Sequence, residues 1–469
     1  MTGSSLLSGI VRGMFVVVLC LSTALPLNAA VAAEFDDDTF TDAPLLVSPQ
    51  SGDLSDTDIK DRFAVPLVGD QLVTLTLTGP VGQDFDLSLY SPEVLVSSLP
   101  EEFHVVKRSN TEGSSTEAIT YLVPPGPGGT YFVEVSAFVG ASGSYTLTCE
   151  ITDERVPRLF GPDRYRTSYA VSASTFAAAP AAVIASGANF PDALSAAGLA
   201  GAVNGPVLLA PFTTDPNDSR LVDLCREITR LGCTDVYIVG GEAAVSPTVY
   251  DAVADRVAQP KRISGSTRYQ TAVTVADEIR RLAPSAVDAA FVVRGDAYPD
   301  ALAVSPYAYA GRLPILLTRT DSLETSVSAF IESNDIVDVV IAGGVSAVDE
   351  NVENEIEALN GATTTVRRLA GSNRVATAVA VAAGCVDRGW GDWERIGMAT
   401  ASNFPDALSG GFACGKRSGV LLLTESSSLS SAVDEALAAN ATTGSMVLVF
   451  GGEKAITDSV LAQIEALLP

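Results

Sequence analysis

The sequence predicts a multidomain chain, with an antiparallel β-sandwich over about residues 35–150 followed by three tandem α/β parallel-sheet repeats. Two observations carry this reading. Before residue 150, apolar and polar residues alternate in short runs broken by Gly and Pro turns. After residue 157, four landmarks recur three times in the same order, about 106 residues apart.

The first element is a targeting segment, residues 1–32. Arg12 is its only charge, Met14 through Leu21 form a short apolar run, Pro26 breaks it, and Ala30-Val31-Ala32 has the small-x-small pattern of a cleavage site. The apolar run is too short for a comfortable membrane span, so none is expected after cleavage near Ala32-Ala33. Leu19 before Cys20 is too bulky for lipoprotein processing. The sandwich strands are Leu72–Thr78, Phe85–Tyr90, Tyr131–Val135 and Ser144–Cys149, and 151–157 reads as a linker.

The repeats are assigned to 158–260, 261–366 and 367–469. Each opens on Arg-x-x-Gly-x-x-Arg, which is Arg158-x-x-Gly161-x-x-Arg164, then Arg262-x-x-Gly265-x-x-Arg268, then Arg368-x-x-Gly371-x-x-Arg374. The second landmark is Phe190-Pro191-Asp192-Ala193-Leu194, with counterparts at Tyr298–Leu302 and Phe404–Leu408. The third is an apolar strand, Pro206–Leu209, Pro314–Leu317 and Val420–Leu423, and the fourth is Gly240-Gly241, Gly343-Gly344 and Gly451-Gly452. Ala181–Ala185, Val207–Leu209 and Val236–Val239 are unbroken apolar runs, as strands buried on both faces require. Between them lie a small-residue helix near Pro191 and an amphipathic helix over 219–231. Strand–helix alternation implies right-handed crossovers and a parallel sheet, so each repeat reads as a doubly wound, Rossmann/Toprim-like unit.

Composition narrows function. The chain has 56 acidic and 29 basic side chains, a net charge of −27; losing Arg12 with the leader makes this −28. Such a surface repels nucleic acid. His104 is the only histidine, which removes most histidine-based hydrolase templates, and it reads as a surface or half-buried strand residue. No CxxC pattern supports zinc, and no cofactor motif is present. Export permits disulfides, with Cys225–Cys233 and Cys385–Cys414 as the within-repeat pairings available and Cys149 left over.

At the four landmarks, residues 157–469 resemble the cell wall binding repeat type 2 family, found in triplicate on Gram-positive surface proteins. The resemblance implies non-covalent attachment to an anionic secondary wall polymer and intramolecular packing of the repeats as a pseudo-threefold disc. The third repeat departs from the pattern, with Val375 where the others have Tyr165 and Tyr269, and Val420 where they have proline. No Leu-Pro-x-Thr-Gly sorting motif occurs, in keeping with non-covalent anchoring. The sandwich resembles the bacterial pre-peptidase carboxy-terminal domain at Asp84–Tyr90, Gly129–Val135 and Gly143–Leu147, which implies an accessory role.

The loops at the carboxyl ends of parallel strands are the default ligand site of such sheets. They hold Asn189, Asp192, Asp300, Asn403 and Asp406, and the repeated guanidinium groups Arg164, Arg268 and Arg374 suit phosphate or carboxylate on a polymer. Equally, each Arg and Asp could pair with one another structurally. A non-catalytic binding protein is the leading expectation. The alternatives are a wall-modifying hydrolase acting through Asp192 and a calcium-dependent adhesin using Asp84 and Asp86.

Overall fold

The computed structural model describes residues 39–97, 100–284 and 289–469, so the targeting segment and Cys20 lie outside the described residues. The sandwich has eight strands: β1 (Gln50–Leu54), β2 (Lys60–Leu67), β3 (Leu72–Thr78), β4 (Phe85–Tyr90), β5 (Val105–Ser109), β6 (Thr116–Leu122), β7 (Gly129–Ala137) and β8 (Gly143–Thr152). They form two antiparallel sheets, β1-β8-β3-β6 and β2-β7-β4-β5. Inward-facing Leu75, Leu77, Phe85, Leu87, Ile119 and Leu147 are fully buried between them, as alternation requires. His104 departs from expectation. It is only 3 % exposed and ends a 3-10 turn, Glu101–His104, because its carbonyl must accept from Ser91 N to fold the β4–β5 connection inward.

The repeat region starts with β9 (Arg158–Leu159). Repeat 1 continues through α1 (Arg164–Ala173), β10 (Ala181–Ser186), α2 (Ala196–Ala202), β11 (Val207–Ala210), α3 (Ser219–Leu231), β12 (Asp235–Val239) and α4 (Pro247–Ala254). Repeat 2 runs from β13 (Lys261–Ile263) through α5 (Arg268–Leu282), β14 (Ala289–Arg294), α6 (Pro299–Gly311), β15 (Ile315–Thr318), α7 (Thr325–Ser333) and β16 (Asp338–Ala342) to α8 (Glu350–Glu357) and the short α9 (Leu359–Ala362). Repeat 3 comprises β17 (Thr365–Leu369), α10 (Arg374–Val386), β18 (Arg395–Thr400), α11 (Pro405–Lys416), β19 (Val420–Thr424), α12 (Ser431–Asn440), β20 (Met446–Phe450) and α13 (Asp458–Leu467).

Each sheet is parallel and four-stranded, and each borrows its last strand. The orders are β11-β10-β12-β13, β15-β14-β16-β17 and β19-β18-β20-β9. The strand opening repeat 2 therefore completes repeat 1, that of repeat 3 completes repeat 2, and that of repeat 1 completes repeat 3. The cycle closes without a covalent link. Arg158, Arg262 and Arg368 staple each borrowed strand. Arg262 Nη1 donates to Gly240 O and Val245 O (2.9 and 3.1 Å), Arg368 Nη1 to Gly343 O and Val348 O (3.0 and 2.8 Å), and Arg158 Nη1 to Gly451 O and Ile456 O (3.1 and 2.8 Å). At the centre, α2, α6 and α11 pack against one another. Ten of the 13 residues of α6 are buried, the mark of a helix enclosed on every side.

The third repeat absorbs its departures by compensation. Tyr165 and Tyr269 pack against the strand-end glycines Gly187 and Gly295, where a Cβ would lie 2.5 and 2.7 Å from the rings. The equivalent of those glycines in repeat 3 is Ala401, which carries a methyl they lack, and the residue in the tyrosines' place is the smaller, buried Val375. Val420 has the N–H that Pro206 and Pro314 lack, so β19 pairs one residue earlier, Ile396 with Val420.

The available disulfide pairings are not made: Cys149, Cys225, Cys233, Cys385 and Cys414 are free thiols. Burial pushes Cys233, Cys385 and Cys414 up to about 12, which keeps them protonated and inert, and Cys225 Sγ is directed at Ala252 O. The sandwich docks on the repeats through Tyr121 Oη, which donates to Ala173 O (3.0 Å), and through Asp70, which faces Arg395 and the buried Arg417 of repeat 3. Residues 153–157 are tied down as well, with Arg155 donating to Thr442 O and Pro469 O.

Candidate functional site

Three helices begin at the repeated arginines because the residue before each caps it. Asp163, Thr267 and Asn373 accept from the backbone N–H three positions on, at 2.9, 3.2 and 2.9 Å. With the helix start fixed, each guanidinium turns to the end of the first long strand of its repeat. Arg164 Nη1 donates to Gly187 O (3.0 Å), Arg268 Nη1 to Gly295 O (2.8 Å) and Arg374 Nη1 to Ala401 O (3.0 Å). Arg164 and Arg268 are half-buried, and Arg374 is exposed.

Asp192 lies in the connection after its strand, just before a 3-10 turn, whereas Asp300 and Asp406 are not in loops as expected but in the first turns of α6 and α11, each started by the preceding proline. Each carboxylate lies against the first glycine of its Gly-Gly pair. Gly240, Gly343 and Gly451 have φ of 112°, 115° and 101°, and a Cβ at Gly240 or Gly343 would lie 2.8 or 2.6 Å from the Asp oxygen. The glycines thus serve both the turn and the carboxylate.

Burial raises the pKa of all three aspartates, Asp300 to about 6. Each time the repeated arginine of the next repeat opposes the shift, Arg268 (with Thr271) for Asp192, Arg374 for Asp300 and Arg164 for Asp406, while Arg294 of its own repeat also acts on Asp300. The repeated Arg and Asp therefore face one another across repeat boundaries rather than within a repeat. Among the described residues none of these three couples closes to an ion pair within 4.0 Å. The guanidinium groups are attracted, not clasped.

One part of the site escaped the sequence reading. Phe190, Tyr298 and Phe404, the aromatic residue of each Pro-Asp-Ala-Leu loop, form one cluster with centroids 5.4, 5.8 and 5.9 Å apart. Arg164 lies 5.7 Å from the Phe404 ring, and Tyr298 Oη donates to Ser402 O at 3.1 Å. Their conserved place in the landmark was the available signal. Asn189 and Asn403 stand exposed beside the cluster, Asn403 accepting from Phe404 N at 3.0 Å, while Ala297 occupies the matching place in repeat 2. Phe404 is buried, so it is the half-buried Phe190 and Tyr298, with the exposed amides and guanidinium groups with spare donors, that can together engage a saccharide bearing acidic groups. Asp86 of the sandwich is half-buried beside Asp84, Glu117 and Arg108, and no group of three or more His, Cys, Asp or Glu among the described residues is arranged to hold a metal.

Comparison with known proteins gives this geometry a family. Residues 158–250, 262–353 and 368–461 each match cell wall binding domain 2 (CWB2). The chain is 29 % identical over 315 residues to N-acetylmuramoyl-L-alanine amidase LytC of Bacillus subtilis, covering 67 % of this chain and 59 % of that protein. It is 28 % identical over 307 residues to the amidase enhancer of the same organism, covering 64 % and 40 %. It thus spans about half the length of these curated relatives. Among solved structures, Cwp8 from Clostridium difficile aligns at TM-score 0.57 and 24 % identity, covering 67 % of this chain and 52 % of that one. Cwp6 from the same organism aligns at 0.60 and 18 %, covering 87 % and 68 %. These two likenesses bear on fold. Three module matches in one chain, in the order and phase of the landmarks, decide the assignment: the chain belongs to the cell wall binding domain 2 family, and its repeat region binds the cell wall.

Proposed function

We propose that the three repeats form a pseudo-threefold disc that holds the protein non-covalently on an anionic secondary wall polymer, with the aromatic cluster at the centre of the contact face. One observation carries this: Arg164 lies over the Phe404 ring, and Arg268 and Arg374 are drawn, without closing ion pairs, to the aspartates that follow Phe190 and Tyr298, on a chain whose net charge is −27. A strongly acidic protein needs such local positive groups to approach a polyanion. Asn189 and Asn403 would bind the polymer's hydroxyl groups, and Asp192, Asp300 and Asp406 would hold the loops and arginines in place. We assign export to residues 1–32 and an accessory role to the sandwich, whose strand motifs resemble the pre-peptidase carboxy-terminal domain.

Sedimentation with purified wall, native or stripped of its secondary polymer, tests the reading. Retention on native wall alone, lost in Arg164→Gln/Arg268→Gln/Arg374→Gln, is expected. Equal retention on stripped wall would refute the polymer as ligand. The likeness to an amidase favours one second reading, wall hydrolysis through Asp192. Against it stands the matched length of 315 residues, about that of the repeat region. Peptidoglycan clearing by the wild type that vanishes in Asp192→Ala would establish it.

A further inference from the structure

A groove lies where the sandwich meets repeat 1. A cleft of about 710 Å³ opens between β5 with its preceding turn and the surfaces of α1 and α3. A smaller hollow of about 370 Å³ shares Val106, Lys107, Phe160, Ala170 and Ala173 with it, so the two make one groove with Lys107 at the junction.

The groove is basic on an acidic protein. The large cleft is lined by Lys107, Arg108, Arg166, Arg226, Arg230 and Arg256 against only Glu102, Asp223 and Glu227. Part of this charge is consumed by the fold. Arg230 is buried, pairs with Glu227 at 2.7 Å and donates to Phe176 O, and Arg166 is held by Asp163 and Asp223. That leaves Lys107, Arg108, Arg226 and Arg256 facing Glu102. Arg226 shares Asp223 at 3.2 Å and stays 69 % exposed, and Arg108 is oriented by Ser88 Oγ rather than by a carboxylate. Lys107 has neither an ion pair nor a hydrogen bond among the described residues, and burial lowers its pKa. Withdrawing an ammonium from water without a counter-charge is unfavourable, and an anion in the groove would relieve it.

The repeats supply an internal control. Helices α7 and α12, equivalent to α3, contain no Lys or Arg, whereas α3 contains three arginines. Only the copy facing the sandwich carries the basic helix.

We propose that this groove binds an acidic oligosaccharide. Its carboxylate or phosphate groups would lie on Lys107, Arg226 and Arg256, with sugar faces against Phe103 and the half-exposed Phe160. The groove uses none of the repeated Arg164, Arg268 and Arg374, although Phe160 borders Gly452 of repeat 3. Calorimetric titration of the full chain with tetragalacturonate and with a four-unit glycerol phosphate oligomer separates the two acid chemistries. At least one probe should bind, more weakly as salt rises. Lys107→Met/Arg256→Gln should weaken that binding about tenfold or more, Lys107→Arg should restore it, and the same loss should appear in an Arg374→Gln background, where the repeat face is already impaired. Arg226→Gln, at an already exposed side chain, carries the test if Lys107→Met fails to fold. The proposal is overturned if neither probe binds, if the double variant binds as the wild type does, or if the double variant causes no loss once Arg374→Gln is present.

Discussion

Two arginines of one landmark have separate tasks, and the difference is readable atom by atom. Arg262 is spent within the fold, because its Nη1 satisfies two carbonyls of the preceding repeat. Arg262→Ala leaves both without that donor and should cost about 2–3 kcal/mol in urea denaturation, without a specific loss of wall binding in the fraction that stays folded. Arg374 spends one donor on Ala401 O and is exposed, so Arg374→Gln should weaken wall retention with little change in stability. Asp300 gives a signed pH test. Burial raises it to about 6, so the folded state prefers the neutral acid. The stability from that preference is full below the unfolded value of about 4 and is lost as pH rises through about 6. Asp300→Asn, neutral throughout, should be more stable than wild type by about 1–2 kcal/mol at pH 7.5 and converge on it near pH 4. Identical melting of the two proteins at pH 7.5 would show the carboxylate to be solvated like any other.

Among elements, the packing of the first helix on the first long strand sets what each repeat tolerates. Val375→Tyr drives a ring into the space filled by the Ala401 methyl, so it should destabilise by about 2 kcal/mol, and adding Ala401→Gly should recover most of that. A double-mutant cycle with coupling near zero would break the link between the two positions. The same elements show what was legible beforehand. Strands β10, β11 and β12 were visible because sheets covered on both faces need unbroken apolar runs. Lys261-Arg262-Ile263 was not read as a strand, being three residues long, largely polar and paired outside its own repeat. Helix α1 was hidden for another reason: it buries Thr167, Ser168 and Ser172 beside Tyr169 and Val171, so no apolar stripe marks it. Repetition singled out Arg164 and Asp192, but it could not reveal that each aspartate answers to the arginine of the next repeat. That is a property of the cycle, which no single period contains.

At the scale of the molecule, the cycle makes the three repeats one folding unit rather than beads on a string. Strand β9 has its ladder partner 291 residues later, in β20, with Arg158 paired to Val449 and Leu159 to Phe450. Helices α2 and α6 each lean on α11, and Arg417 of repeat 3 donates to Ser174 O of repeat 1 at 2.8 Å. A chain ending after residue 363, just before β17, would strip β9 of its partner and β16 of its borrowed one, expose the buried faces of α2 and α6, and leave Asp70 of the sandwich without Arg395 and Arg417. Uncovered apolar faces of that extent associate rather than stay in water. We therefore expect the truncated chain to elute as an oligomer or aggregate and to lose the cooperative melt of the whole, while the full chain unfolds in a transition that includes all three repeats. Adding residues 364–469 as a separate polypeptide should restore a compact one-to-one complex, since β17 and β20 then pair again with β16 and β9 through backbone hydrogen bonds alone. If the two-repeat fragment is monomeric and melts as sharply as the intact protein, the repeats are independent domains, and the cross-boundary strands, arginine staples and Asp–Arg couples contribute little to holding them together.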